Sequence, residues 1–265
     1  MSQTISKSSL GAWSQRLLAA IFLGGQVIVH LMKGKIHRRN TLEQLAAVGP
    51  DSLFIALLTA VFVGAVFTIQ VAREFINFGA GNLVGGVLAV ALTRELTPVL
   101  TAVILAGRVG SAFAAEIGTM RVTEQIDALL ILKADPIDYL VIPRIIACLL
   151  MLPILTLLSL LTGMFGGLII ATHTYNLSDT VFLDSARNFL DIRDICSAMI
   201  KAGCFGVLIA IIGCSWGLTT TGGAKGVGQS TTTAVVTALL IIFISNFFLS
   251  WLMFQETSGR LTPTL

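Results

Sequence analysis

Two oppositely charged residues stand side by side within a long apolar stretch. Arg94 and Glu95 lie inside the segment 83–115, most of which is apolar. If this segment crosses a bilayer, a charge near its centre costs at least about 2.5–3.5 kcal/mol, so such residues are usually functional. Pro98 lacks the N–H that the carbonyl of Arg94 would accept in an α-helix. We therefore expect a kink and an unpaired carbonyl beside the two charges, a site tolerated only in a bundle interior or beside a water-filled cavity.

Further polar residues recur along the same stretch. Arg94, Thr101 and Arg108 follow one another at intervals of seven residues, which predicts a polar stripe along one helix face. Arg94 and Glu95 could face a substrate, or they could neutralise each other or a neighbouring helix. Arg108 could line the stripe or extend to the membrane surface, and Lys201, in a later apolar segment, has the same two options. The candidates for a translocation path are Arg94, Glu95, Pro98, Thr101 and Lys201.

The sequence contains no complete motif for catalysis. The stretch 223–230 has the glycine spacing of a P-loop, but Gln229 stands where that loop requires lysine, and an apolar segment precedes it instead of a strand. We interpret it as a flexible loop. The four cysteines and three histidines are dispersed without metal-ligand or redox spacing, which predicts no metal site. We therefore expect no enzymatic activity, and any motor that drives this protein must be another chain.

The composition indicates a membrane protein. Of the 265 residues, 55% are hydrophobic and 12% are charged, which is about half the charged fraction of a soluble domain. The net charge of +3 gives no reason to expect a nucleic-acid partner. A membrane-spanning helix needs about 20 apolar residues. Five segments satisfy this requirement: 53–72, 83–115, 145–172, 195–218 and 231–254.

A shorter apolar segment precedes these five. It covers 17–32 and contains Gly24, Gln26 and His30. We interpret a helix over about 13–32 as lying in the membrane interface, with a further crossing as the alternative. The predicted fold is therefore an all-α integral membrane protein with an N-terminal interfacial helix and five transmembrane helices.

The distribution of basic residues predicts the orientation. The basic cluster within 33–39 lies beside the first span and belongs in the cytoplasm, because Lys and Arg are retained on that side. Alternation of the spans then places 116–144 and 219–230 inside and 173–194 outside. Within the outer segment, the apolar spacing of 177–191 predicts a short amphipathic helix.

The inner segment that follows the second span is amphipathic. Gly118 is a suitable end for that span, and 119–132 then forms a short helix with one apolar and one charged side. Asp135 and Pro136 carry the N-cap and first-turn signals that begin the third span. A short amphipathic helix can lie on the membrane or dock into a partner's groove, and the pattern alone favours the membrane surface.

The chain closely resembles the MlaE/YrbE family over residues 91–129, which read ALTRELTPVLTAVILAGRVGSAFAAEIGTMRVTEQIDAL. Members of this family are the permease subunits of ABC transporters that work with MCE-domain lipid-binding proteins. The family signature falls on Arg94–Pro98, Ala106–Ala112 and Glu116–Gln125. The resemblance extends over nearly the whole chain from about residue 20, so it covers much more than the signature.

The resemblance implies a single permease domain over 1–265 that forms a homodimer. Thr97, where glycine is usual, and the run 213–228 are more similar to the cyanobacterial and plastid branch. The implied location is the bacterial inner membrane, or the plastid inner envelope for a plastid protein. The chain would bind no cofactor directly, since ATP and Mg²⁺ would be held by a partner ABC ATPase. An MCE-domain protein would exchange phospholipid with the permease.

The resemblance also implies roles for individual residues. The helix within 116–133 would be the coupling helix seated in a groove of the ATPase, which reverses the preference for the membrane surface. Arg94 and Glu95 would line the lipid site at the dimer interface. The implied coupling residues are Met120, Arg121, Glu124, Gln125, Ile126 and Asp127. Two other functions stay open from the residues alone: an ion-coupled secondary transporter, although only the second span is clearly interrupted, and a non-transporting membrane scaffold.

Overall fold

A computed structural model describes residues 3–32 and 38–255, except for the side chains of 3–10, 12, 31 and 32. Lys33 and Lys35, which belong to the predicted cytoplasmic cluster, lie outside the described residues. All regular structure in the described part of the chain is helical. In chain order the α-helices are α1 (Gln3–Met32), α2 (Arg38–Val48), α3 (Pro50–Asn77), α4 (Val84–Ala91), α5 (Thr97–Leu105), α6 (Ser111–Val122), α7 (Gln125–Ile131), α8 (Ile142–Tyr175), α9 (Asp179–Phe189), α10 (Ile192–Leu218) and α11 (Gly223–Phe254).

Five stretches of the described chain are long and apolar enough to cross a membrane. They are Arg38–Asn77, Gly81–Val122, Ile137–Tyr175, Ile192–Leu218 and Gly223–Phe254. The predicted all-α membrane protein with five spans is thereby confirmed. The placement of α1 in the membrane interface stays a prediction.

The second span is a continuous run of helical turns whose winding changes twice. π-Helical turns at Leu92–Leu96 and Ala106–Gly110 separate α4, α5 and α6. Each π turn widens the helix and shifts the direction of the residues that follow. A spacing of seven residues therefore does not keep side chains on one face, and the predicted polar stripe is not continuous.

Two predicted breaks in the chain are helical instead. α6 runs past Gly118 to Val122. Gly118 allows close packing, since an added Cβ would lie 3.1 Å from Oγ1 of Thr220. The stretch 223–230, predicted as a loop, forms the first turns of α11. The chain reverses just before it, where Gly222 has a φ of 89° that suits glycine.

Two other predicted boundaries agree with the structure. The Asp135 carboxylate accepts a hydrogen bond from the N–H of Ile137 at 2.9 Å, at the start of the third span. The outer amphipathic helix predicted within 177–191 is α9, which buries Phe182 and Ala186. Local capping and periodicity were sufficient to predict both features.

The chain divides into two compact units. The first unit comprises Met1–Val48, Leu105–Cys148 and Gly206–Ile241. In this unit, Nε1 of Trp13 in α1 donates to Oγ1 of Thr237 in α11 at 3.0 Å. At the other end of α1, Nδ1 of His30 lies 2.7 Å from Oδ1 of Asp138. These two contacts hold α1 against α11 and against the start of the third span.

The first unit also contains a buried arginine. Arg144 donates from Nη2 to Oε2 of Glu116 at 2.7 Å and from Nη1 to the carbonyl of Leu140 at 2.9 Å. Its guanidinium lies over the ring of Phe113, 5.3 Å from the centroid. A charged side chain in this position links α6 to α8.

The second unit comprises Gly49–Ile104, Leu149–Phe205 and Ile242–Leu265. Its apolar core includes Val84, Leu88 and Phe182, contributed by α4 and α9. Gly64 in α3 faces Gly163 in α8, and a Cβ added to Gly64 would overlap the carbonyl oxygen of Gly163. Small residues at such crossings let two helix backbones approach closely in a membrane.

Candidate functional site

A fully buried lysine joins three helices of the second unit. Lys201 in α10 has a relative exposure of 0%. Its Nζ donates to Oε1 of Glu95 at 2.9 Å and to Oγ of Ser250 in α11 at 2.7 Å. It also donates to the carbonyl oxygen of Arg94 at 2.7 Å. Pro98 cannot supply an N–H to this carbonyl, so the lysine satisfies the acceptor that the proline leaves.

Arg94 is paired with a residue at the start of α10. Its Nε and Nη2 donate to the two carboxylate oxygens of Asp194 at 2.8 and 3.2 Å. The Asp194 side chain is 4% exposed, whereas that of Arg94 is 37% exposed. A two-point pair of this kind fixes the guanidinium in direction as well as position. Arg94 is consequently the most accessible cation of the group.

Glu95 completes the group by contacts to α11. Besides Lys201, its carboxylate accepts hydrogen bonds from Nδ2 of Asn246 and Oγ of Ser250, both at 2.7 Å. The ring of Phe254 lies under both cations, 4.8 Å from the Arg94 guanidinium and 5.4 Å from the Lys201 ammonium. We call Arg94, Glu95, Asp194 and Lys201 the charged cluster.

The charged cluster answers two questions that the sequence left open. Arg94 and Glu95 do not pair with each other, because each is bonded to a charge on α10. Lys201 does not extend to a surface, since it is buried among its partners. Two positive and two negative charges sum to zero, which lowers the cost of holding them within membrane spans.

The remaining predicted path residues lie outside these bonds. Pro98 and Thr101 are buried in α5. Thr101 lines a narrow cleft between α3, α5 and α8. Arg108 is exposed, and its Nη1 donates to the carbonyl of Ala47 at 3.1 Å. Only part of the predicted set is therefore brought together.

The sequence analysis did not predict four residues of the site: Asp194, Asn246, Ser250 and Phe254. Their spacing along α10 and α11 could have indicated them. Asp194 and Lys201 are seven residues apart in one helix, so they share a face. Asn246, Ser250 and Phe254 are four residues apart within an apolar run, which is the same signal on α11.

The second unit also contains an apolar cavity. Its volume is about 490 Å³. One wall is Leu96, the residue after Glu95, and the rest is formed by α3. The α3 residues are Leu58, Thr59, Phe62, Val63, Val66, Phe67 and Gln70. Methylene chains suit such a surface, because contact with it requires no hydrogen bonds.

The predicted coupling segment has a defined shape in the first unit. α6 ends at Val122, and Glu124 adopts a left-handed conformation with φ 59° before α7 begins. The Ile126 side chain is buried as an anchor, while Asp127 is exposed and bonded to Nη1 of Arg121 at 2.8 Å. Met120 is half-buried and Gln125 exposed. The exposed apolar residues that follow are Leu130, Ile131 and Leu132.

Five apolar spans with an ion-paired cluster inside two of them define a polytopic membrane protein. A family model described as Permease MlaE matches residues 41–252. The chain belongs to the MlaE permease family, and it is an ABC transporter permease.

Relatives from bacteria, plants and algae support this assignment. A probable ABC transporter permease protein of Synechocystis is 68% identical over 257 residues, which are 97% of this chain and 98% of that protein. The chloroplastic protein TRIGALACTOSYLDIACYLGLYCEROL 1 of Arabidopsis thaliana is 53% identical over 97% of this chain and 73% of its own length. A probable ABC transporter permease protein of Pyropia yezoensis is 48% identical over 95% and 96% of the two chains. These relatives and the five spans fit a multi-pass protein of a bacterial or plastid membrane.

Proposed function

We propose that this permease moves phospholipids or related lipids between the membrane and an MCE-type lipid-binding protein, using ATP hydrolysis by a partner ABC ATPase. The observation that carries the proposal is the charged cluster together with an apolar cavity whose wall includes Leu96, the residue after Glu95. Arg94 offers a partly exposed cation for an anionic head group, and the α3 cavity offers an apolar wall for acyl chains. The name of the Arabidopsis relative refers to a glycerolipid, which agrees with a lipid substrate.

The bonds within the charged cluster assign different tasks to its members. Lys201 and Asp194 are buried and fully engaged with protein groups, so they hold the site in shape. Arg94 has the exposed edge and is therefore the residue that contacts the head group. A phosphate near Arg94 competes with the Asp194 carboxylate for the guanidinium, and this competition allows the lipid to be released again.

Exchanging the two ends of one ion pair tests this role. Arg94→Asp combined with Asp194→Arg keeps an ion pair between the same helices, but it places a carboxylate at the exposed position. We expect normal expression and stability, with lipid transport reduced at least about tenfold, because like charges repel the phosphate. Transport would be measured in proteoliposomes that contain the permease, its ATPase and the MCE protein.

The exchange also separates lipid contact from a purely structural role. If Arg94 only supported the fold, the double variant would transport lipid at the wild-type rate, and the site assignment would be wrong. Arg39→Glu combined with Glu43→Arg serves as the matched control, since it exchanges the ends of an exposed ion pair outside the charged cluster. Mass spectrometry of lipid that co-purifies with each variant provides a second readout without the partner proteins.

The proposed ATPase contact is the surface formed by Arg121, Glu124, Gln125 and Asp127, with Ile126 as its internal anchor and Met120 at its edge. The left-handed Glu124 sets α7 off from the end of α6, so these polar side chains project from a short, defined element. The apolar residues 130–132 are exposed beside it and would be covered by a partner groove.

Charge reversal tests the ATPase contact. Glu124→Lys with Asp127→Lys should reduce both co-purification of the ATPase and its stimulation by the permease. Asp179→Lys with Asp184→Lys makes the same change on α9, the other short amphipathic helix, and should leave the ATPase bound. Equal ATPase recovery with both double variants would rule out docking at α7.

The proposal includes a homodimer. Many apolar residues of α3 are exposed, including Phe62 and Val66 of the cavity wall, and a second copy would enclose the cavity. Native mass spectrometry in detergent should give twice the mass of one chain. A monomer that still transports lipid with its ATPase would contradict this part of the proposal.

A further inference from the structure

A second, larger cavity lies in the first unit, and none of the residues assigned above lines it. Its volume is about 650 Å³. Its walls come from three helices: α1, the end of α10 and the start of α11. The lining residues are Trp13, Arg16, Trp216, Lys225, Gly228, Gln229, Thr232 and Thr233.

Two cations line this cavity. Arg16 is half-buried, and its Nη1 is oriented by a 3.3 Å hydrogen bond to Oγ of Ser230. Lys225 is exposed at the first turn of α11. Among the described residues, no carboxylate forms an ion pair with either side chain within 4.0 Å. A cavity lined by two cations attracts an anion.

A buried donor in the same wall lacks an acceptor. Trp216 is fully buried, and within the described part of the chain its indole N–H has no hydrogen-bond partner. Leaving such a donor unsatisfied is unfavourable, so an unpaired buried N–H in a native protein calls for an explanation. The Trp216 ring is part of the cavity wall, so an oxygen atom of a ligand could become its acceptor if the ring turns when the ligand binds.

The remaining wall is one face of α11. Counted from Lys225, the other three residues of this face lie three, four and seven positions later: Gly228, Gln229 and Thr232. This spacing places all four on one side of α11 in successive turns. This is the glycine-rich stretch that resembles a P-loop in spacing but is helical here. A Cβ added at Gly228 would meet no atom within 4 Å. The glycine therefore keeps the cavity open, and helix packing does not require it.

We propose that this cavity binds a phosphate group. Phosphate offers several strong acceptor oxygens, which matches the guanidinium, the ammonium and the indole N–H of the lining residues. The group would be carried either by an anionic phospholipid of the cytoplasmic leaflet or by a soluble phosphate ester. The exposed Trp13 and the predicted inner position favour the lipid, because Trp, Lys and Arg concentrate at the membrane interface.

Native mass spectrometry of the full chain in detergent tests the site. The probes are dioleoylphosphatidylglycerol and, as a net-neutral comparison, dioleoylphosphatidylcholine. Arg16→Gln/Lys225→Gln should weaken binding of phosphatidylglycerol at least about tenfold, the effect expected for losing charged hydrogen bonds. Arg38→Gln/Lys133→Gln removes the same charge from exposed residues elsewhere on the predicted inner face and should bind as the wild type does.

A second variant tests the cavity itself and leaves its charges in place. Gly228→Leu fills open space, so it should fold normally and weaken phosphatidylglycerol binding as strongly as the charge variant. Trp216→Phe keeps the ring and removes the N–H, and it should weaken binding roughly three- to tenfold.

A soluble probe distinguishes the two sources of phosphate. Calorimetric titration with glycerol 3-phosphate should show no binding at millimolar concentration if the lipid is the ligand. Binding of glycerol 3-phosphate that depends on Arg16, Lys225 and Gly228 would support a phosphate site and reject the lipid as its source. If neither probe depends on these residues, the proposal is wrong. Because these assays measure binding and not transport, their outcome is independent of the function proposed above.

Discussion

The pairing of Lys201 with Glu95 predicts a strong energetic coupling that a double-mutant cycle measures. Removing one partner of a buried ion pair costs about 3–5 kcal/mol. Lys201→Met leaves the Glu95 carboxylate without its partner. Because the Glu95 side chain is 44% exposed, water partly solvates it, and the cost should lie near the lower end of this range. Glu95→Gln leaves a fully buried ammonium without its counter-charge, which places this variant near the upper value.

The double variant removes both charges and should cost much less than the sum of the two single variants. What then remains is the carbonyl of Arg94, which loses the lysine donor and receives none from Pro98. An unsatisfied buried carbonyl costs about 1–3 kcal/mol. The two single variants together cost about 6–10 kcal/mol, so the coupling free energy should be at least about 3 kcal/mol.

The free energy of unfolding would be measured by titration with sodium dodecyl sulfate in mixed micelles, followed by far-ultraviolet circular dichroism. The matched control is the exposed pair Arg39–Glu43, whose Nε and Oε1 atoms are 3.3 Å apart. An i,i+4 pair on a helix surface should couple by only about 0.2–0.5 kcal/mol. Additive effects of Lys201→Met and Glu95→Gln would refute the assignment of these residues to one buried pair.

Three further tests concern other contacts. Gly64→Ala places a methyl group against a backbone carbonyl of α8 and should destabilise by at least about 1–3 kcal/mol, whereas Gly107→Ala enters open space and should stabilise by about 0.5–1 kcal/mol. Equal thermal unfolding temperatures for the two would contradict the close approach of α3 and α8. Val66→Trp fills the α3 cavity and should slow lipid transport in proteoliposomes, while Val236→Trp, at a similarly exposed valine on α11, should not. Transport that is equal for both would remove the cavity from the path. Arg144→Met should lower the free energy of unfolding in the same titration by about 1.5–3 kcal/mol; an unchanged value would show that its contacts with α6 do not stabilise the fold.

The spans could be predicted from the sequence because lipid offers the backbone no hydrogen-bond partners. An apolar segment of about 20 residues must satisfy its own N–H and carbonyl groups, and a helix does so. Helix ends were harder to predict. Glycine at 118 and in 223–230 has the composition of a chain break, yet there it serves helix packing or leaves space, and local sequence does not separate these uses.

The charged cluster was predictable in part. The cost of charge in a membrane identified Arg94 and Glu95, and the missing N–H of Pro98 identified the carbonyl that needed a donor. The donor itself, Lys201, lies 107 residues further along the chain. Pairing over such a distance depends on how the helices pack, and a single sequence does not encode that directly. Asp194 was overlooked because its pairing with Arg94 also depends on how the helices pack. In the sequence it is only one of several acidic residues of the outer segment.

The separation between the two halves of the charged cluster has a consequence for biosynthesis. The ion pair of Arg94 cannot form until Asp194, which lies 100 residues later in the chain, has been synthesised. At a synthesis rate of roughly 5–20 residues per second, the delay is about 5–20 s. During this interval the second span holds two charges whose final partners have not been synthesised, which costs at least about 2.5–3.5 kcal/mol for each charge in lipid. We therefore expect this span to be less stable in lipid until α10 is synthesised, and a chain truncated before residue 192 to be degraded faster than the full chain.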